Sequence, residues 1–504
     1  MKMKMNIKYS IVLLVALCAC ELDKYPTTIY NENNVTTSSD SDSAITTRED
    51  ILGQLEAMYS YMSGDMQSYW YWLITMSDVR SDNAYGGNMS EAKVVAVESN
   101  RIDSDNDIAY ALWNYSMNAI DKANQIICYI DTVKANDSSL TTTEYNEWLS
   151  EALVWRAYIW INMIYLFGDI PMVTEIPPAI TSANIEEVYH LYFPERVSPD
   201  LVGAQIIADV ENFACDNAPA VESDKFKITK GFAHGVMARF YAMPHFRNWS
   251  KVIEHCEAVE ALDYTLTTSY GDMWSYGDTM AEQDTTESIF EVSWSSQTSG
   301  SWLWMMFYRN AFSPSDGFDW AKWCTPSRLL TSAYDKEGDT ERKEASVVYD
   351  ETRWSFHYPS SNYAFMHKLP TNVTPIYIMR LADIKLLHAE ALANSGSASD
   401  AIEIVNDIRS RANIATLDTN MDATAAREAV LHERRLELAF EGHRWFDLLR
   451  YDDDYSTLIS VCDAVNAADS YYQTRKAMTE RTALMPIPTT VLDNNTNIEQ
   501  NLGY

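Results

Sequence analysis

The residues with most chemistry to offer are aromatic rings set beside short polar runs. Tyr69-Trp70-Tyr71-Trp72 leads into Ser77-Asp78-Val79-Arg80-Ser81-Asp82-Asn83-Ala84-Tyr85-Gly86-Gly87-Asn88. A flat indole or phenol ring stacks on the apolar CH face of a sugar. Nearby amides, carboxylates and guanidinium groups then hydrogen-bond its hydroxyls, the usual recipe of an apolar surface with a few placed polar groups. In this stretch Asp82, Asn83 and Tyr85 are the candidate contacts, with Asp78 and Arg80 behind them. The competing reading makes Asp82-Asn83 turn chemistry and Tyr85 a packed ring.

A second aromatic group lies further on. Seven of the 15 tryptophans fall between residues 264 and 375, among them Trp294, Trp302, Trp304, Trp320 and Trp323. Taken singly, each is more readily a core ring; at least one of these five is expected to touch a ligand. Trp320 and Trp323 stand beside Asp319 and Lys322, which favours exposure. Arg380, alone in the apolar run 378–381, either forms a buried ion pair with an acid of the first stretch or reaches the ligand.

Catalytic signatures are missing. His432-Glu433 begins like HExxH, but Leu436 stands where the second histidine belongs. There is no GxSxG, P-loop or GxGxxG, and the nine histidines show no other ligand spacing. With 72 acidic residues a hydrolytic carboxylate pair can always be imagined. Such a pair is recognised by a separation of ~5–9.5 Å across a cleft, which no sequence displays.

Helices position these groups. Thr46 with Glu49 suggests a capping box ahead of Ile51, Leu55, Met58 and Met62. Further helices are expected over 107–130, from 141–144 to Leu166, over 230–243 and over 251–261, the second of these apolar on nearly every side and therefore buried. Residues 264–375 lose helical periodicity and read as a loop-rich insert with short strands such as 289–294. Helices return over 378–394 and 401–411, joined by 395–399 as a hairpin, with Asp400 and Glu403 as a capping box, and again over 424–450. On that last helix Leu431, Leu438, Gly442, Trp445 and Leu449 share a face, while Arg434/Glu437, Glu441/Arg444 and Asp447/Arg450 stand at i,i+3. A glycine inside an apolar stripe costs ~1 kcal/mol against alanine, so close packing against Gly442 is expected.

The chain has 504 residues and a formal charge of −34. That field repels phosphate backbones and argues against nucleic acid. Lys2, Lys4 and Lys8 precede an apolar core, Ile11 to Leu17, and Leu17-Cys18-Ala19-Cys20 fits a bacterial lipobox. Residues 1–19 are thus expected to be a cleaved signal, Cys20 the lipidated mature terminus, 20–42 a flexible tether, and 43–504 the folded domain. Of the remaining cysteines, Cys128, Cys215, Cys256, Cys324 and Cys462, no two are spaced as CxxC, and neither a disulfide framework nor a zinc motif is expected.

Five places resemble the SusD/RagB family of outer-membrane nutrient-binding lipoproteins: the lipobox with ELDKYP, EALVWRAYIWINMIYLFGDIPMV at 151–173, the helices of 376–412, ERRLELAFEGHRWFDLLR at 433–450, and LMPIP at 484–488. The resemblance implies a mostly α fold of tetratricopeptide-like hairpins, with the core over 376–450 and the aromatic-rich insert over 264–375. It implies non-catalytic glycan capture at the surface of the outer membrane, no cofactor, and delivery to a SusC-like TonB-dependent transporter. It also gives the loop at 78–88 and tryptophans of the insert as ligand contacts. Peptide capture, as in RagB-like members, and a surface glycoside hydrolase are the alternatives. The charges of 433–450 are expected to be structural.

Overall fold

The computed structural model describes residues 45–504 apart from 88–90, 182, 222, 275–282, 295–300, 304–305, 307–322, 353–355 and 473–474. The signal, Cys20 and the tether, like Trp304 and Trp320, therefore lie outside the described residues. The fold is mostly α, as expected. Helix α1 (Arg48–Ser63) opens on a capping box, formed by Thr47 and Asp50 rather than by Thr46 and Glu49. Next come α2 (Gln67–Arg80), α3 (Ala92–Glu98), α4 (Asp107–Ile127) and α5 (Thr142–Phe167). Thr141 and Glu144 cap α5 reciprocally, and Gly168, at φ +74°, ends it. Buried almost all round, α5 packs against α4.

Helix α6 (Pro199–Ile206) runs on into a π-helical segment, Ile207–Ala214. The hairpin of α7 (Lys230–Ala242) and α8 (Trp249–Glu260) lies against it and against α11 (Leu381–Asn394). α11 packs with α12 (Ala398–Arg411) and α13 (Ala423–Glu437) around Leu386, Ile402, Val405 and Val430. The tetratricopeptide-like hairpins are therefore present. α12 begins at Ala398, its cap Ser397 makes no side-chain bond, and no Asp400–Glu403 box forms.

Residues 376–380 are not helical. They form strand β6 (Ile376–Arg380), antiparallel to β2 (Ser288–Val292). The β-branched and aromatic run Ile-Tyr-Ile fits a pleated surface buried on both faces better than a helix. The described part of the insert is also more regular than expected. It holds α9 (Arg328–Glu337), α10 (Thr340–Ser346) and the hairpin of β4 (Val347–Asp350) with β5 (Tyr363–Met366).

The expected single helix over 424–450 is broken. α13 stops at Glu437 and α14 (Arg444–Tyr451) starts after six intervening residues. In the turn between them Phe440 has φ +64° and Gly442 φ +81°. Gly442 is thus retained for its left-handed backbone. A Cβ there would meet Ile74 at only 3.7–3.9 Å, ordinary contact. Of the three i,i+3 charge pairs, only Asp447–Arg450 forms, at 2.6 Å. Arg434 turns to Asp383 and Asp447, and Arg444 to Asp82.

Since Gly442 is uncrowded, Gly442→Ala is expected to cost about 1–2 kcal/mol, the strain of an L-residue in the left-handed region. Urea denaturation should show Gly442→Asn costing less than Gly442→Ala, because asparagine tolerates that region. Equal losses would mean that crowding, and not φ, is the cause.

Candidate ligand-binding site

α2 is the element from which both aromatic and polar candidates are placed. Every residue from Tyr69 to Arg80 on it is buried. Its C-terminal carbonyls are held from outside the helix. The Arg475 guanidinium donates to the carbonyls of Val79, Arg80 and Ser81 at 3.1, 2.7 and 2.6 Å, as cations commonly do at helix C-termini.

The polar candidates of the first stretch face inward, which corrects the expectation that they meet a ligand. Asp78 Oδ1 accepts from Asn83 Nδ2 at 2.9 Å and from the Phe440 amide at 3.0 Å. Burial pushes its carboxyl up to about 6. Arg80 donates to the carbonyls of Ala483 and Thr482 and lies 4.1 Å from the Trp445 ring. Asp82 is gripped by Arg444 at 2.8 and 3.1 Å and by Arg435 at 3.3 Å. Burial alone would raise its pKa, but the two guanidinium groups hold the carboxyl well below the usual range. Asn83 Oδ1 accepts from Arg435 Nε at 2.9 Å. Tyr85 is wholly buried, donates to Asp469, accepts from the Arg328 amide at 3.0 Å and stacks on His357 at 4.4 Å. Tyr85 as a packed ring matches these contacts, whereas Asp82 and Asn83 spend their side chains on Arg435, Arg444 and Asp78 and not on a local turn.

Arg380 is a buried ion-pair residue, with partners other than those expected. It reaches Glu287 and Glu437 at 2.6 Å and Glu441 at 2.7 Å, and no acid of the first stretch.

The aromatic candidates come together. β1 (Ala84–Tyr85) pairs with β3 (Thr325–Pro326), which sets Trp323 against the rings of α2. Trp72 and Trp323 stack at 5.1 Å and 11°. Tyr71 lies 4.3 Å from Trp72, 5.3 Å from Trp323 and 5.8 Å from Trp302. Lys93 on α3 sits 5.3 Å over Trp72 and 5.5 Å over Trp323, within cation–π range. The Trp302 amide donates to Gln67 Oε1 at 3.0 Å. Trp72 and Trp323 are buried to 8% exposure, whereas Trp302 is half-buried. Trp294 is apart from this group: it is buried and donates from Nε1 to the Ser63 carbonyl at 2.7 Å. Tyr71, Trp72 and Lys93 were not singled out as contacts from the sequence. The unbroken run of four aromatics was a signal for Trp72; Lys93 carries no motif.

Two concavities offer less. The cavity of about 60 Å³ between α2, α7 and the 438–443 turn has room for water but not for a sugar ring. A polar cleft of about 850 Å³ runs past Arg196, Tyr455, Arg481 and Gln500. There Arg196 is already engaged with the carbonyls of Asp169, Phe167 and Glu499 and with Asn501. Tyr455 is the one aromatic ring in its lining.

Residues 368–504 match the family described as the SusD family, and residues 33–242 match the one described as starch-binding associating with outer membrane. The chain is a SusD-like family protein. SusD-like protein P2 of Formosa agariphila is 24% identical over 98% of both chains. The structure of a SusD homolog from Bacteroides thetaiotaomicron superposes on this SusD-like chain with a TM-score of 0.73 at 20% identity, covering 91% of this chain and 98% of that one. Surface glycan-binding protein A from the same organism, solved in complex with laminarihexaose, gives 0.72 at 16% identity, covering 90% and 100%. At such identities the superpositions establish the fold.

The Asp82 contacts generate a stability prediction. Asp82→Asn leaves Arg435 and Arg444 without their buried anion, and a loss of about 3–5 kcal/mol is expected at pH 7. The folded-state pKa lies below the unfolded value of about 3.9. The ion pair's contribution is therefore complete above pH ~4 and fades as pH falls through the folded value. Denaturant titrations at pH 7 and pH 3 should show the gap between the two proteins narrowing at the lower pH. A gap that stayed constant would refute the ion pair as its source.

Proposed function

We propose that this SusD-like protein captures a glycan at the outer-membrane surface without cleaving it and hands it to a SusC-like TonB-dependent transporter. The observation that carries the reading is the cluster of Tyr71, Trp72, Trp302, Trp323 and Lys93. Trp302 would be the contact ring, because it is the least buried of the three clustered tryptophans. Tyr71 supports it edge-on, and the Trp72–Trp323 stack fixes Tyr71 in turn. Stacking on a ring held this way loses little side-chain entropy on binding. The family description as starch-binding, and a fold neighbour crystallised with laminarihexaose, support a sugar as ligand. Anchorage would come from lipid on Cys20, with residues 20–42 as the tether.

Single-ring stacking gives moderate affinity, which suits a protein that must release its cargo into a pore. Removing Trp302 is expected to weaken binding about tenfold, equivalent to about 1.4 kcal/mol. The test is native gel electrophoresis of the chain lacking residues 1–20, in gels containing starch, laminarin and other polysaccharides, beside Trp302→Ala. Retardation by one polymer, reduced in Trp302→Ala and without released sugar, is the expected result. Released sugar would identify a glycoside hydrolase. Absence of retardation with every polymer, followed by binding in a peptide panel, would establish peptide capture instead. Delivery further predicts that a TonB-dependent transporter co-purifies with the protein from solubilised outer membranes.

A further inference from the structure

Away from the aromatic cluster, three helical segments bring together side chains that no local motif links. Cys215 follows the π-helical segment Ile207–Ala214, His234 lies on α7 and His255 on α8. One ligand atom from each lies within 4.8 Å of the others. The two imidazoles meet nitrogen to nitrogen, Nδ1 to Nδ1, at 3.0 Å. Two nitrogens at ~2.1 Å from a tetrahedral Zn²⁺ stand roughly 3.4 Å apart, so a few tenths of an ångström separate this arrangement from a metal-binding one. Single residues inserted as π-type turns are frequent at functional sites.

A second observation concerns the far side of the His255 ring. His255 is 3% exposed, and its Nε2 has no hydrogen-bond partner. The nearest carboxylate oxygen, Glu211 Oε1, is 3.7 Å away, just beyond reach. A histidine that binds metal through one nitrogen donates its other N–H to a carboxylate in most metal sites. Coordination through Nδ1 would place a proton on Nε2, and Glu211 Oε1, which Lys251 Nζ also contacts at 2.9 Å, is the nearest acceptor.

Glu211, Glu254 and His255 form a competing ligand set. That set is already filled: Lys251 Nζ lies 2.9 Å from both carboxylates. Sulfur and imidazole without a carboxylate select a borderline-soft ion over Mg²⁺ or Ca²⁺.

We propose that Cys215 Sγ, His234 Nδ1 and His255 Nδ1 bind one Zn²⁺ ion, with water in the fourth position. The ion would pin the α7–α8 hairpin to the end of the α6 segment. Binding through Sγ expels the thiol proton and so strengthens with rising pH.

The test uses untagged chain lacking residues 1–20, dialysed against Zn²⁺ and assayed for metal by mass spectrometry, with Co²⁺ as the spectroscopic probe. One zinc per chain, a thiolate-to-cobalt charge-transfer band and a tetrahedral visible spectrum are expected. Cys215→Ser should abolish the charge-transfer band, His255→Asn should lower affinity at least tenfold, and Glu254→Gln should change neither. Substoichiometric zinc, cobalt bound without a thiolate band, or full zinc retention by Cys215→Ser with His255→Asn would overturn the proposal. If a variant fails to fold by circular dichroism, the cobalt spectrum of the unaltered chain decides. Glycan binding plays no part in these measurements.

Discussion

Most of this structure depends on one buried carboxylate. Glu437 is fully buried at the end of α13, where it meets Arg342 at 3.1 Å, Arg380 at 2.6 Å and Arg411. Burying such a group uncompensated costs several kcal/mol, and Coulomb attraction offsets that only with near-ideal geometry. Here burial would raise the Glu437 pKa, and the three guanidinium groups hold it well below the carboxylate range. Each arginine is itself multiply paired. Arg342 also binds Asp339 and Glu433, Arg380 also binds Glu287 and Glu441, and Arg411 also binds Glu287. The insert, strand β6, the α12–α13 hairpin and the 438–443 turn are thereby locked to one charge. Loss of Glu437 would remove a partner from all three buried arginines at once, which couples these elements.

That constraint reaches the aromatic cluster through the turn after α13. Phe440 adopts a left-handed backbone that costs a non-glycine residue of order 1–3 kcal/mol. Its amide donates to Asp78, and the Trp445 amide to Ser77 Oγ, so the turn is tied to the C-terminal end of α2. The other end of the tie is Asp82 with Arg435 and Arg444. α2 is thus fixed from its buried end, and Tyr71 and Trp72 are carried with it. Rings held by a rigid helix lose little freedom on meeting a ligand.

Helices with capping chemistry or one apolar stripe were legible in the sequence: α5 with its Thr141–Glu144 box and Gly168 stop, and the α11–α12 hairpin. Two features were not. The Ile376–Arg380 run flows without a break into α11, and nothing local reports that Ser288–Val292 pairs with it. Gly442 read as a costly helix glycine because periodicity persists across the turn, although a positive φ was the reason for it. For the candidate site, charge alternation over 433–450 gave helix faces but not the direction of burial. Asp78, Asp82 and Asn83 look like a polar loop in sequence because their partners, Arg435, Phe440 and Arg444, lie more than 350 residues further along.

The same distinction bears on catalysis. Asp78, with its carboxyl at about 6, and Glu291, raised to about 7, have the values expected of general acids. In both the first cause is burial, and each is wholly enclosed, with Asp78 bonded to Asn83 and the Phe440 amide and Glu291 to the Asp284 amide. A perturbed carboxyl points to catalysis only where a substrate can reach it. Glu437, within 433–450, and Asp82, which pairs with that stretch, are shifted the opposite way by arginines and stay ionised through the neutral range. The chain's unusual titrations thus come from assembling the scaffold.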